Sequence, residues 1–239
     1  MRQCGRAIPI LSNMKKYNLS ASLICGNPLA LREEILALEK GGIDYVHFDV
    51  MDGAFVPRYG LYPEYLKAVR SVTNLSIEVH MMTTEPERYI PIFAASGATI
   101  FSVHAEACTH LHYTLRCIRE RGMKAGVVLN YATPLNVLDY IMEDVDLIML
   151  MAINPGIVGH KLIPGALKKI TDLRKKIDAF GRNIMLSVDG GVSPESAARM
   201  VNAGANYLVC GTSAIYKPAI PLDIKIKEFR ALIDAGIGQ

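Results

Sequence analysis

The chain has no apolar run approaching the ~18 residues needed to cross a bilayer, so no membrane partner is expected. It has no CxxC pair. Its five cysteines, Cys4, Cys25, Cys108, Cys117 and Cys210, are an odd number scattered through a long chain. That excludes a small disulfide scaffold and fits a reducing, cytoplasmic setting. Neither charge sign dominates. The 26 Lys+Arg against 23 Asp+Glu leave +3, too weak a bias to point to nucleic acid. No basic run interleaves with aromatics; Lys168-Lys169 and Arg174-Lys175-Lys176 read as the solvated face of one helix. The stretch Ala7-Ile8-Pro9-Ile10-Leu11 is too short and too interrupted for a signal peptide, and residues 1–17 read as an N-terminal extension. No Walker A sequence occurs, and no GxGxxG follows the first strand-like run. No low-complexity stretch or linker divides residues 18–239, which read as one domain.

What is present is an alternation. Short apolar, strand-like runs alternate eight times with amphipathic, helix-like runs. The strands are expected near residues 19–24, 45–50, 76–81, 99–103, 124–129, 147–151, 184–188 and 207–210. Helices follow each one, including one beginning near Pro134 and one capped by Ser193 with Pro194 at its first position. Eight such units with short connections predict a (β/α)8 barrel, a TIM barrel, which typically takes about 250 residues. A doubly wound sheet fits less well, because its glycine fingerprint is missing.

Four residues at the ends of these strands carry the chemistry. His47 and Asp49 lie two apart in His47-Phe48-Asp49-Val50-Met51-Asp52-Gly53, so both side chains share one face of the second strand. His80 ends the third strand and Asp189 the seventh. The ends of parallel barrel strands meet at one mouth, where the four converge as an N/O ligand set for a divalent metal. Two carboxylates at one metal are also two proton-transfer groups, the equipment for moving a proton on a carbon beside a carbonyl. His104, with Glu106 two residues on, reaches the same mouth and reads as a supporting group. His110 and His112 read as surface groups.

Glycines cluster in the loops that hold phosphate in such barrels. Gly156 and Gly159 follow the sixth strand, Gly190-Gly191 the seventh and Gly211-Thr212-Ser213 the eighth. Met51, Met82 and Met151 fall at strand ends around the same mouth, where thioethers exclude water. Period-2 geometry turns Met82 toward the site and Met81 away. Asp52 and Ser22 are further candidates there; a Ser22 hydroxyl suits a substrate oxygen.

With these motifs in place, the chain resembles the ribulose-phosphate 3-epimerase family from about Leu19 to its end. The resemblance rests on His47 to Gly53 continuing into Phe55-Val56-Pro57, on His80-Met81-Met82, on Asn154-Pro155-Gly156, on Val188 to Gly191 and on Gly211 to Ser213. It implies one divalent cation on His47, Asp49, His80 and Asp189, with zinc or iron favoured and manganese or cobalt next. It implies that Asp49 and Asp189 are an acid/base pair on opposite faces of C3 of a ketose phosphate. They would interconvert D-ribulose 5-phosphate and D-xylulose 5-phosphate through an enediolate. Ser22, the three methionines and the glycine loops would bind substrate. A homo-oligomer is also implied.

The departures from the family pattern touch the pocket and not the four ligands. Ile157-Val158-Gly159-His160 replaces the family's Phe-Gly-Gly-Gln, and Asn130-Tyr131 replaces Lys-Pro or Asn-Pro. Thr83 and Arg58 replace Val and Asn. They leave room for the branch acting on allulose 6-phosphate. Two further readings compete with an epimerase. One is a catalytically silent sugar-phosphate-binding barrel, disfavoured by the two intact carboxylates. The second is a decarboxylase or aldol-type barrel, which needs a Lys in an Asp-x-Lys arrangement at a strand end; the chain has none.

Overall fold

A computed structural model describes residues 15–157, 159, 161–217 and 219–239. Most of the N-terminal extension, with Cys4, lies outside the described residues, as do Val158 and His160 of the sixth loop.

Eight parallel strands close into a barrel in sequence order: β1 Asn18–Ser22, β2 Tyr45–Met51, β3 Ser76–Met82, β4 Ile100–His104, β5 Lys124–Leu129, β6 Leu147–Met151, β7 Met185–Asp189 and β8 Tyr207–Cys210. Strand β1 pairs with both β2 and β8, which closes the ring. The helices are α1 Leu31–Gly41, α2 Pro63–Arg70, α3 Ile90–Ala95, α4 Leu111–Glu120, α5 Ala166–Phe180, α6 Ala197–Asn202 and α7 Leu222–Gly236. Among the described residues no helix is long and apolar enough to cross a membrane.

The alternation along each strand builds two cores. Outward residues such as Val46, Phe48, Ile77, Val79 and Met81 meet the inner faces of the helices. Inward residues fill the barrel itself, with Ile100, Val128, Leu147, Met149, Met151, Tyr207 and Val209 packed together. The barrel is therefore a packed core rather than a pore. The lower layers are filled by these apolar side chains together with the buried polar residues Ser20, Glu78, Ser102 and Ser187, so only the upper layer is open to chemistry.

The alternation was legible in the sequence, but three expectations are corrected. No α-helix follows β5; two 3-10 turns, Leu135–Leu138 and Met142–Asp144, make the crossing. Leu135, Leu138 and Ile141 recur every third residue, a spacing that 3-10 geometry places on one side. Ser193 does not cap α6 with its side chain. Its hydroxyl donates to Glu195 at 2.5 Å, and the helix starts at Ala197. The first strand stops at Ser22, because Leu23–Cys25 turn into a 3-10 segment ended by the Gly26 N–H bonding Leu23 O.

Candidate active site

Strand register decides which side chains meet. Asp49 pairs with His80 across β2–β3, Ser22 with His47 across β1–β2, and Met151 with Asp189 across β6–β7. Ser22, Met151 and Asp189 are the last residues of their strands, Asp49 and His80 lie two before the last, and His47 lies two before Asp49 on the same face.

One donor atom from each of His47, Asp49, His80 and Asp189 falls within 4.8 Å of all the others. Asp49 Oδ1 lies 3.0 Å from His47 Nε2 and 3.2 Å from His80 Nδ1. Asp189 Oδ2 lies 3.5 Å from His80 Nδ1 and 4.0 Å from His47 Nε2. Two imidazole nitrogens and two carboxylate oxygens, nearly dry and crowded together, can hold a divalent cation. Among the described residues no Lys or Arg pairs with either carboxylate, so a bound cation is the natural counter-charge.

Three of the four residues are held from behind. Ser22 Oγ donates to Asp49 Oδ2 at 2.7 Å. His47 Nδ1 meets the carboxylate of Glu78, which is fully buried. His80 Nε2 meets His104 Nε2 at 2.9 Å, and His104 Nδ1 meets Glu106 Oε2 at 3.3 Å. Glu106 also accepts the Asn130 N–H at 2.9 Å and the Thr133 hydroxyl.

These surroundings push the titrating groups apart. Burial alone raises a carboxyl, yet His47 and His80 hold Asp49 well below the usual range. Burial raises Asp189, and the nearby Asp49 charge adds to it despite the opposing histidines. Burial lowers His47, but the Asp49 and Glu78 charges overcome it and carry it well above its usual value. Burial pushes His104 down to about 4. Burial would raise Glu106, but the hydrogen bonds from His104, Thr133 and Asn130 hold it at about 2.

A cavity of 770 Å³ opens at this cluster, with Asp49 and Asp189 on its wall. Its wall includes Ser22, Met51, Met82 and Met151, and its far side Gly156, Gly159, Gly190, Gly191, Gly211, Thr212 and Ser213. Every substrate-binding residue expected from the sequence lies on this wall. Met82 packs with Met51 and Val56 at the mouth, while Met81 belongs to the outer core. Gly190 has φ +88°, and a Cβ there would come within 2.3 Å of Ile153 Cγ1, so only glycine fits. Among the described residues the N–H groups of Gly190, Gly191, Thr212 and Ser213 find no protein acceptor, as an anion site requires.

Asp52 does not join the site. It accepts the N–H groups of Ala54, Phe55 and Thr84 and ties down the loop after β2. Glu78 was not foreseen from the sequence. Its signal was present: Glu78 sits two residues before His80, hence on the same inward face, directly across from His47.

A sequence profile described as the ribulose-phosphate 3 epimerase family matches residues 18–216. The chain belongs to the ribulose-phosphate 3-epimerase family. It is 49% identical over 199 residues to the ribulose-phosphate 3-epimerase of Bacillus subtilis, covering 83% of this chain and 91% of that protein. It is 45% identical over 197 residues to the chloroplastic ribulose-5-phosphate-3-epimerase of Arabidopsis thaliana, covering 82% and 70%. Among solved structures it resembles KGPDC from Streptococcus mutans, with TM-score 0.71 and 15% identity, covering 93% of this chain and 100% of that one. That likeness shows the barrel fold alone.

Proposed function

We propose that the protein is an isomerase that inverts C3 of a ketose phosphate, interconverting D-ribulose 5-phosphate and D-xylulose 5-phosphate. The observation that carries this reading is the meeting of Asp49 and Asp189, both on the wall of one cavity, with the buried His47 and His80, in a chain of this family. One group, as the carboxylate, removes the C3 proton and leaves an enediolate. The other, starting as the carboxylic acid, gives its proton to the opposite face, so the two groups exchange protonation states and the configuration inverts. A divalent cation held by His47, Asp49, His80 and Asp189, with zinc or iron best suited to this donor set and manganese or cobalt next, supplies Lewis acidity that stabilises negative charge on the substrate oxygens.

The chain does the rest. Ser22 fixes Asp49 and lies within reach of a substrate oxygen. Met51, Met82 and Met151 shield the reacting carbons from water, which protects a strongly basic intermediate. Gly156, Gly159, Gly190, Gly191, Gly211, Thr212 and Ser213 cradle the phosphate and so set the distance from C3 to the carboxylates. We read the setting as cytoplasmic and the assembly as a homo-oligomer.

The deciding test is NMR in D2O with metal-loaded protein and a panel of ketose phosphates, following exchange at C3–H and the appearance of the epimer. Exchange and epimerisation with ribulose 5-phosphate are expected. Allulose 6-phosphate belongs in the panel, because the two departures Arg58 and Ile157 both line the cavity. Folded, metal-containing protein that exchanges no C3 proton with any of these sugars would overturn the reading in favour of a silent sugar-phosphate-binding barrel.

A further inference from the structure

The two histidine ligands are backed differently. His47 leans directly on a carboxylate, Glu78, whereas His80 leans on a second histidine. We propose that Glu106, acting through His104, fixes His80 in its Nε2–H tautomer and so presents the bare Nδ1 to the metal. The proposal rests on the metal-binding role given above to His80; Glu106 and His104 are positioning residues that touch neither metal nor substrate.

Hydrogen-bond direction carries the argument. Glu106 accepts from the Asn130 N–H and the Thr133 hydroxyl on Oε1, so it is a carboxylate held as an acceptor. Its other oxygen therefore requires a proton on His104 Nδ1. A neutral His104 then has its lone pair on Nε2. The two Nε2 atoms, 2.9 Å apart, share one hydrogen, and it must belong to His80. A neutral His80 is left with its lone pair on Nδ1, the atom facing Asp49 and Asp189. The near-coplanar arrangement of the rings, inclined by 21°, suits such a bond, and Phe55 packs against the His104 ring at 4.8 Å between centroids. Anchoring at Glu106 also ties the ligand to the loop after β5, through Asn130 and Thr133, some distance from the cavity. Supporting hydrogen bonds of this kind orient a ligating imidazole and sharpen metal affinity.

The test uses full-length protein labelled with 15N-histidine and loaded with zinc alone. The 15N spectrum is expected to show His80 protonated on Nε2 and zinc-shifted on Nδ1, with His104 protonated on Nδ1. His104→Phe removes the acceptor and should lower zinc affinity about 10–100-fold, read by chelator competition. His104→Gln, whose amide can accept from His80 and donate to Glu106, should recover most of it. Glu106→Gln, which presents an amide N–H to one of its three donors, should scramble the His104 tautomer and weaken zinc about tenfold. This last variant keeps the test decisive if the Phe variant does not fold. A parent protein with His104 protonated on Nε2, or variants that all bind zinc within twofold of the parent, would overturn the proposal. No substrate enters the measurement. A parent with the expected spectrum that turns over no ketose phosphate would support this inference while sinking the proposed reaction.

Discussion

The two ends of the barrel treat charge in opposite ways. At the amino-terminal floor, Asp44 accepts the Leu19 N–H at 2.9 Å and Arg230 at 2.8 Å, and it also pairs with Lys15. Nearby, Tyr17 donates to Asp234 at 2.7 Å, and Asp146 binds both Arg119 and the Ala125 N–H. Five residues beyond Asp44, ~16 Å away at about 3.3 Å per residue, Asp49 has no cationic Lys or Arg beside it among the described residues. It faces two imidazoles and a second carboxylate. Charges at the floor are neutralised by the chain and hold the barrel closed. At the mouth, among the described residues, Asp49 and Asp189 ion-pair only with histidines, which leaves their charge open to a bound cation.

This contrast can be broken in four places. Asp189→Asn at the mouth should have the largest effect, lowering kcat about 10²–10⁴-fold while the thermal midpoint stays near that of the parent. Turnover within tenfold of the parent would rule out a two-carboxylate scheme. Next comes Glu78→Gln, which removes the direct backing of His47. Its metal affinity should fall about 10–100-fold in a chelator competition; unchanged affinity would make Glu78 a core residue only.

At the floor the effect should move from catalysis to stability. Asp44→Asn should cost about 1–3 kcal/mol in denaturant unfolding and leave kcat and KM unchanged. The pH dependence has a definite sign. Burial pushes the Asp44 carboxyl up, but Lys15, the Leu19 N–H and Arg230 outweigh it and hold it below its usual 3.8. Its stabilisation is therefore complete above pH ~4 and is lost as pH falls through the lower folded value. The variant should narrow its stability gap to the parent in that acid range, and a gap that stays constant down to the lowest pH would contradict the assignment. The smallest effect belongs to Arg58→Asn, on the exposed rim of the cavity. An exposed cation contributes about 0.2–1 kcal/mol, so KM should rise by less than about fivefold and the rise should shrink in high salt.

The residues show why some of this was readable beforehand. His47 and Asp49 announce a shared face because two-residue spacing in a strand is a local property. Met81 and Met82 divide between outer core and mouth by the same rule. Gly190 was visible as a glycine of a loop suited to phosphate, although its need for glycine comes from Ile153, a neighbour that no local rule supplies. The turns after β5 were misread as a helix because an apolar spacing of three sits close to the helical period, and only packing against the barrel separates the two.

The sequence by itself determined the eightfold alternation, the placing of His47, Asp49, His80 and Asp189 toward one end of their strands, and the glycine loops, since periodicity and strand ends depend on neighbours along the chain. The tertiary structure alone decided that Glu78 faces His47, that His104 links His80 to Glu106, and that the glycine loops share a cavity with Asp49 and Asp189. Those contacts join different strands, or a strand end to a loop, and their distances follow from the register imposed when β1 closes onto β8.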